Sequence, residues 1–153
     1  MPVLLVRHAH AGSRKEWLGP DEDRPLSAKG ARQAEGLVAV VATYAPQRII
    51  SSPFRRCVAT VEPLAADLGL RVEHSVALAE GASGEAVALV RSLADDKVAL
   101  CTHGDVIPEV LVALADEDRL DLGPRPRQQK GSVWVLEATG GRFTRAQYLP
   151  PTS

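Results

Sequence analysis

The chain has 153 residues, of which 45% are hydrophobic and 24% are charged, and its formal net charge at pH 7 is −1. This composition is typical of a soluble globular protein and excludes the basic field that non-specific nucleic-acid binding needs. The amino terminus lacks the regions of a signal peptide and no apolar run reaches the length of a membrane span, so we expect a cytoplasmic protein. Cys57 and Cys101 lie in apolar segments, which favours reduced thiols in the core.

Strand and helix signals alternate along the chain, which predicts one α/β domain over residues 1–153 with a mostly parallel sheet. The first half is predicted to contain a strand at 3–6, a long polar connection at 11–25 and a strand at 48–51. A helix is predicted to begin near Ser27 and to bury Ala31, Ala34, Val38 and Val41. A second helix is predicted after the 48–51 strand, with Ser52 as N-cap, Pro53 as first residue and Gly69 as its stop. The second half is predicted to contain a strand at 71–74, a helix at 84–94, a central strand at 97–101, a helix from about Asp105, and a hairpin of strands 132–137 and 143–149.

Basic side chains follow three of the predicted strands, at the point where each strand ends. Arg7 and His8 follow the first strand, Arg56 lies shortly after the second, and His103 and Gly104 follow the central strand. Because the carboxyl ends of parallel strands face one crevice, we expect these residues to meet there. Two imidazoles and two guanidinium groups in one crevice predict a pocket for phosphoryl groups, since the planar fork of arginine matches two phosphate oxygens.

The residue types suggest a role for each member of this pocket. Arg7 and Arg56 are interpreted as phosphate clamps, and His8 as a nucleophile, because a neutral imidazole nitrogen can form a phosphoenzyme. His103 would stabilise the transferring group, and the N–H groups around Gly104 at a helix start would add anion-binding donors. Each residue alone could also be a structural or surface residue, and it is their combination that predicts the site.

The alternate spacing of His8 and His10, and of Cys101 and His103, places each pair on one face of an extended segment. Such spacing also fits the metal site of barrel amidohydrolases, but those barrels need about 200 residues or more. We therefore predict no metal and no cofactor, with Cys101 in the core, His10 in a loop near the pocket and His74 on the surface.

In these motifs the chain resembles the histidine phosphatase superfamily, also called phosphoglycerate mutase-like. The resemblance lies in Arg7-His8-Ala9, in the Leu-x-x-x-Gly-x-x-Gln-Ala helix at 26–34, in Ser-Ser-Pro-x-x-Arg at 51–56 and in Thr102-His103-Gly104. Other segments are similar to the phosphatase domain fused behind a Nudix domain in proteins that cleanse oxidised guanine nucleotides, and the short length resembles SixA-type phosphohistidine phosphatases. The resemblance implies a three-layer αβα sandwich and a metal-independent phosphatase that is phosphorylated on His8.

The resemblance also implies an acidic residue that protonates the leaving oxygen. Glu80, after the third strand, is in about the right place, and Glu85 and Asp105 are the other candidates, since a general acid must be judged by geometry. The chain departs from the family at Ala9 and at Arg14, where many members carry a phosphate-binding asparagine.

Two basic segments extend the predicted pocket. Ser13, Arg14 and Lys15 would face Arg127 and Lys130 and hold a second phosphate of a nucleotide, although solvated charges on loops are an equally good interpretation. The predicted substrate is therefore a small phosphorylated metabolite, nucleotides included, with no nucleic-acid or membrane partner. A SixA-type protein phosphatase and a non-catalytic phosphate-binding module are the alternatives, and the sequence leaves the oligomeric state open.

Overall fold

A six-stranded sheet with helices on both faces forms the part of the chain that the computed structural model describes, residues 2–82 and 84–152. The strands are β1 (Pro2–Arg7), β2 (Arg48–Ser51), β3 (Val72–His74), β4 (Val98–Thr102), β5 (Val133–Thr139) and β6 (Arg142–Leu149). The helices are α1 (Ala28–Val41), α2 (Arg55–Leu68), α3 (Gly84–Ser92) and α4 (Val106–Asp118), with short 3-10 turns at Asp21–Asp23, Ala42–Tyr44 and Val76–Leu78. The predicted single domain 1–153 stays a prediction, and its residues Met1, Ser83 and Ser153 lie outside the described ranges.

The sheet has the strand order β3-β2-β4-β1-β5-β6. Strands β1 to β4 are parallel, β5 runs antiparallel to β1, and β5 and β6 form a hairpin. Gly140 and Gly141 make the tight turn of that hairpin with positive φ angles of 58° and 80°, a conformation that glycine adopts without steric cost. The predicted mostly parallel sheet with a terminal hairpin is confirmed.

Alternate residues of each strand face opposite layers, as the side-chain period of two requires. Val3 and Leu5 of β1 pack in a cluster with residues of α3 and α4, whereas Leu4 and Val6 pack with residues of α1 and α2. The predicted three-layer αβα architecture is therefore confirmed. Within the described residues, no helix combines the length and the apolar composition that crossing a bilayer would require.

Helix α1 begins as predicted, buries Ala34 and Val41 and packs Val38 against the core, as expected, but leaves Ala31 outside it. The Ser27 hydroxyl caps the helix by accepting from the Gly30 amide at 3.0 Å. Ala31, which was expected in the core, is exposed, because the neighbouring Gly30 is the residue of this turn that lies against the backbone carbonyl of His10. The buried face consists of Gly30, Gln33, Ala34, Leu37 and Val41.

Helix α2 begins later than predicted. Its first residue is Arg55 and its N-cap is Phe54, which makes no side-chain cap hydrogen bond. The predictions of Ser52 as N-cap and Pro53 as first helical residue were wrong. The Ser52 hydroxyl bonds to the imidazole of His103 and accepts from the Phe54 amide, which precedes the helix. The helix ends at Gly69 with a left-handed φ of 67°, as predicted.

The remaining boundaries differ from the predictions by one or two residues. Helix α3 ends at Ser92 rather than at residue 94, and the central strand is Val98–Thr102. Helix α4 begins at Val106, and Asp105 precedes it without a side-chain cap hydrogen bond. Such shifts are expected, since helix ends and strand ends carry the weakest sequence signals.

The close approach of α1 to the segment after β1 can be tested at Gly30. A Cβ at this position would overlap the backbone carbonyl of His10, so we expect Gly30→Ala to lower the free energy of unfolding by about 2 kcal/mol, the usual cost of overpacking. Gly36→Ala on the same helix is the matched control, because its Cβ would meet only the rotatable side chain of Thr152. Urea denaturation measures both, and equal stability of the two variants would contradict the tight packing at Gly30.

Candidate active site

The parallel pairing of β1 and β4 places two histidines side by side. Arg7 pairs with Thr102, so His8 and His103 each follow the last residue of adjacent strands. Their ring centroids are 5.4 Å apart with an interplanar angle of 64°, and the two side chains are only 6% and 1% exposed. The structure thus brings together the two imidazoles that the sequence pattern singled out.

The His8 ring is held in one orientation by its own backbone neighbour. Its Nδ1 lies 2.8 Å from the carbonyl oxygen of Ala9; a carbonyl only accepts, so Nδ1 carries the proton and Nε2 keeps its lone pair. Burial, with smaller electrostatic effects of His103, Arg56 and Arg7, lowers the pKa of His8 to about 3 against the opposing effect of the Ala9 carbonyl. His8 is therefore neutral at pH 7, which is the state that a nucleophilic imidazole requires.

The His103 ring is held by residues at and just before the start of α2. Its Nε2 lies 2.8 Å from the Ser52 hydroxyl and 3.5 Å from the Cys57 sulfur, and the Phe54 ring packs edge-on at 4.8 Å. Its Nδ1 is buried, and no described residue bonds to that atom. Sequence reasoning assigned Ser52 to a helix cap and so missed its contact with the second histidine.

Arg56 is buried almost completely, with 1% of its surface exposed. Its Nη1 donates to the Asp21 backbone carbonyl at 2.9 Å, and its Nη2 contacts the carboxylates of Asp21 at 3.1 Å and Glu80 at 3.4 Å. The guanidinium carbon lies 5.0 Å from the centre of the Phe54 ring. By contrast, the neighbouring Arg55 is exposed, so α2 turns one arginine into the site and the next one into solvent.

Arg7 reaches the same region along a wall formed by Gly104. Its Nη1 donates to the backbone carbonyl of Gln128 at 2.8 Å, and burial lowers its pKa. A Cβ at Gly104 would lie 2.6 Å from Arg7 Nη2, so the missing side chain makes room for the guanidinium group. The anion-binding role of the Gly104 amide stays a prediction.

A cavity of about 300 Å³ opens beside His8. Its lining consists of Arg7, His8, Gly12, Arg14, Arg24 and Lys130. Burial lowers the pKa of Lys130, and repulsion by Arg7, Arg24 and Arg56 lowers it further, which is the field expected of a site for a multiply charged anion. Of the predicted basic segments, Arg14 and Lys130 line this cavity, whereas Lys15 and Arg127 lie outside the lining.

Arg24 is a buried cation that sequence reasoning missed. Its Nη1 donates to the backbone carbonyls of Ala11 at 2.7 Å and Gly12 at 3.4 Å, and its Nε bonds to Asp21 at 3.1 Å. It therefore ties the beginning of the long connection to its end and orients the Asp21 carboxylate toward Arg56. The available signal was an arginine directly before Pro25 and the α1 cap, at the end of a segment read as a polar loop.

Of the three carboxylates considered as the acid, Glu80 is the one in contact with Arg56. Its Oε1 also lies 2.8 Å from Arg14 Nη2, whereas Asp105 accepts from the Gly81 amide at 2.8 Å and Glu85 is an exposed residue of the first turn of α3.

Asp21 is a further carboxylate of the site, and sequence reasoning did not identify it. Burial raises the pKa of Asp21, but Arg24, Arg56 and Arg14 together bring it below its ordinary value. Asp21 is therefore ionised, so it is a counter-charge for the arginines and a poor proton donor. Its signal in the sequence was weak, since Asp21-Glu22-Asp23 reads as a solvated acidic run in a loop.

The family-like residues of α1 and α2 hold the segment that follows β1. Gln33 accepts from the His10 amide at 2.9 Å, and Ser27 contacts His10 Nδ1 at 2.6 Å. Thr60 accepts from the Ala9 amide at 2.9 Å and donates to the Arg56 carbonyl at 2.6 Å. The Thr60 hydroxyl thereby links the backbone next to His8 to the backbone of Arg56.

His10 lies in the loop after β1, as predicted, where its ring contacts Ser27, and it does not line the cavity beside His8. His74 is exposed on β3. Cys57 and Cys101 are buried free thiols. In the part of the chain that the structure describes, no three His, Cys, Asp or Glu side chains are grouped as metal ligands would be.

Comparison with known proteins assigns the family. The family model of the histidine phosphatase superfamily (branch 1) matches residues 3–90. A curated relative, the 8-oxo-(d)GTP phosphatase of Mycolicibacterium smegmatis, is 33% identical over 97% of this chain and 48% of its own length, so the chain spans about half of that relative. The chain belongs to the histidine phosphatase superfamily.

Solved structures support the same fold. SixA from Agrobacterium tumefaciens has a TM-score of 0.76 and 26% identity, and the match covers 98% of this chain and 97% of that chain. A protein histidine phosphatase SixA complexed with tungstate has a TM-score of 0.74 at 20% identity, with 100% of this chain and 97% of that chain covered. The resemblance to this superfamily that the motifs indicated is confirmed.

The low pKa of His8 predicts how stability depends on pH. In the unfolded chain His8 has its ordinary pKa of 6.5, while in the folded protein the pKa is about 3. Between these values the unfolded state binds the extra proton, so the free energy of unfolding falls as the pH is lowered from 6.5 toward 3. Between pH 7 and pH 5 the wild type should lose about 2 kcal/mol more than His8→Asn, as measured by urea denaturation. Equal losses in both proteins would contradict a neutral, buried His8.

Proposed function

We propose that the chain is a metal-independent phosphatase that passes a phosphoryl group from a small phosphorylated metabolite to His8 Nε2 and then to water. The observation that carries this proposal is a buried, neutral His8 whose Nδ1 is bound to the Ala9 carbonyl and whose ring lines a cavity with arginines and a lysine. A cytoplasmic location, which the sequence predicts, belongs to the same proposal.

The reaction has two steps. First, the substrate phosphoryl group displaces the Glu80 carboxylate from Arg56, and the released Glu80 takes up a proton from solvent. The lone pair of His8 Nε2 then attacks phosphorus, the bond from phosphorus to the ester oxygen breaks, and the leaving oxygen takes that proton from Glu80. Second, the Glu80 carboxylate accepts a proton from water as the water oxygen attacks phosphorus, and the phosphorus–nitrogen bond breaks to release phosphate. Splitting the displacement in this way replaces one difficult step by two easier ones.

Charge stabilisation of the transferring group comes from Arg7, Arg56 and the second imidazole. A phosphoryl group at His8 would compete with Asp21 and Glu80 for the guanidinium of Arg56, which holds both carboxylates now. His103 Nδ1, buried and without a partner among the described residues, would donate to an equatorial oxygen. Donors placed before the reaction stabilise such charge without a cost of reorganisation in the transition state.

Two observations favour a nucleotide over other small phosphates. Arg14 and Lys130 add two cations to the cavity beyond Arg7, while Arg24 is held by backbone carbonyls and Asp21. A substrate with a second phosphate would use Arg14 and Lys130. The relative from M. smegmatis is named for a nucleotide. The similarity to SixA from A. tumefaciens favours phosphohistidine proteins as the second candidate substrate.

Removal of the nucleophile tests the proposed reaction. His8→Ala should abolish turnover of p-nitrophenyl phosphate, because no other residue is proposed to accept the phosphoryl group. A vanadate titration of the wild type accompanies the assay. Turnover by pure His8→Ala would overturn the proposal, and tight vanadate binding by a wild type without turnover would favour a phosphate-binding module.

The two adjacent arginines of α2 provide a matched pair. Arg56→Gln should lower kcat/KM for p-nitrophenyl phosphate by roughly 100-fold or more, the effect expected when a preorganised charged donor is lost. Arg55→Gln, at the exposed neighbouring position, should stay within about twofold of the wild type, since surface charges contribute little. Similar losses in both variants would argue against Arg56 as a phosphate clamp.

The role of Glu80 is tested by varying the leaving group. Glu80→Gln should slow phenyl phosphate, whose leaving oxygen needs a proton, roughly tenfold more than p-nitrophenyl phosphate, whose leaving group departs as an anion. Glu85→Gln and Asp105→Asn serve as controls that should leave this ratio as in the wild type. If the ratio of the two substrates' rates changed in a control variant but not in Glu80→Gln, the substituted control residue would be the acid, and Glu80 would not.

A further inference from the structure

A second cavity, of about 210 Å³, adjoins the cavity beside His8. It is lined by residues 11–13, Glu16, Trp17 and residues 24–27, so Gly12 and Arg24 belong to the walls of both cavities. A Cβ on Gly12 would meet nothing within 4 Å. The two cavities therefore adjoin at Gly12 and Arg24, and Gly12 contributes no side chain to the wall between them.

Trp17 presents a fixed and partly open ring in this second cavity. Its Nε1 donates to the Pro20 carbonyl at 2.9 Å, and a Cβ on Gly19 would lie 3.2 Å from the same nitrogen. The residue is nevertheless 38% exposed. An aromatic ring that is already immobilised loses little conformational entropy when a second ring stacks on it, and such stacking accepts any base.

The two cavities differ in chemistry. Arg7, Arg14 and Lys130 belong to the first cavity alone, whereas Ala11, Trp17, Pro25 and Leu26 belong to the second alone. Arg24 lies between them, with its guanidinium bound to backbone carbonyls at 11 and 12. A ligand that spans both would carry negative charge at one end and a flat apolar ring at the other.

We propose that the second cavity is the leaving-group subsite, in which Trp17 stacks on the base of a nucleoside 5′-phosphate. This inference rests on the proposed phosphatase function and adds the residue that selects the substrate. The volume of about 210 Å³ is below the roughly 300–1,000 Å³ of sites that enclose a whole drug-sized ligand. It suits one ring system at the end of a longer molecule.

The test compares guanosine 5′-monophosphate with ribose 5-phosphate, which differ only in the base. Trp17→Ala should lower the ratio of kcat/KM for the nucleotide to kcat/KM for the sugar phosphate by about tenfold, mainly through KM, since a stacked base is lost. Trp17→Phe should restore most of the ratio. Leu18→Ala is the matched control, because Leu18 is 98% exposed in the same segment and does not line the cavity.

Tryptophan fluorescence gives an independent readout. Guanosine diphosphate should quench the wild type, pyrophosphate should not, and the quenching should be absent in Trp17→Ala. Three results would overturn the subsite. The ratio of kcat/KM for the nucleotide to kcat/KM for the sugar phosphate could be unchanged in Trp17→Ala, or the wild type could use ribose 5-phosphate but not the nucleotide. The third result is a loss of activity in Trp17→Ala that is confined to phosphohistidine peptides. Each of these leaves His8-dependent turnover intact, whereas turnover that persists in His8→Ala would overturn the proposed reaction instead.

Discussion

The in-register parallel pairing of β1 and β4 is the constraint on which the site depends. Because Arg7 lies opposite Thr102, the next residue of each strand is a histidine at the same edge of the sheet. A slip of one residue would turn one imidazole into the opposite layer. The alternation of Val3 and Leu5 with Leu4 and Val6 prevents this slip, since each pair fills a different cluster of the core. Core packing and site geometry are therefore set by the same register.

Charge balance is the second constraint. Arg56 is 1% exposed, and a buried guanidinium without a counter-charge would be strongly destabilising. Asp21 and Glu80 supply that counter-charge in the folded chain, so the Arg56 guanidinium, which we propose as a phosphate clamp, is desolvated and oriented in the structure without substrate. A phosphoryl group that binds Arg56 would then replace carboxylates, rather than bulk water, as the hydrogen-bond acceptors of its guanidinium. This arrangement also explains why the long connection 11–25 carries Asp21 and Arg24 back to the sheet edge.

Much of this could be predicted from sequence. The apolar runs before His8 and His103 and the helix signals between them predict an α/β domain with a mostly parallel sheet, because period and strand-end position are local properties. The three-layer αβα architecture followed from the resemblance to the superfamily. Ser52 and Asp21 were misread or missed because their partners, His103 and Arg56, are distant along the chain. Arg24 was missed because its partners lie within a connection without periodicity, which local rules assign to a polar loop. Ala31 was misplaced because the contact of Gly30 with His10 is also long-range.

The central claim is that the phosphoryl group is transferred to Nε2 of His8. Rapid quenching of the enzyme with an excess of p-nitrophenyl phosphate in alkali, followed by peptide mass spectrometry and ³¹P NMR, measures this directly. The account predicts an acid-labile phosphate on the peptide that contains His8, with the chemical shift of an Nε2-linked phosphohistidine. Phosphate on His103 or His10, an Nδ1 linkage, or turnover without any trapped phosphoenzyme under conditions where its decay is rate-limiting would contradict it.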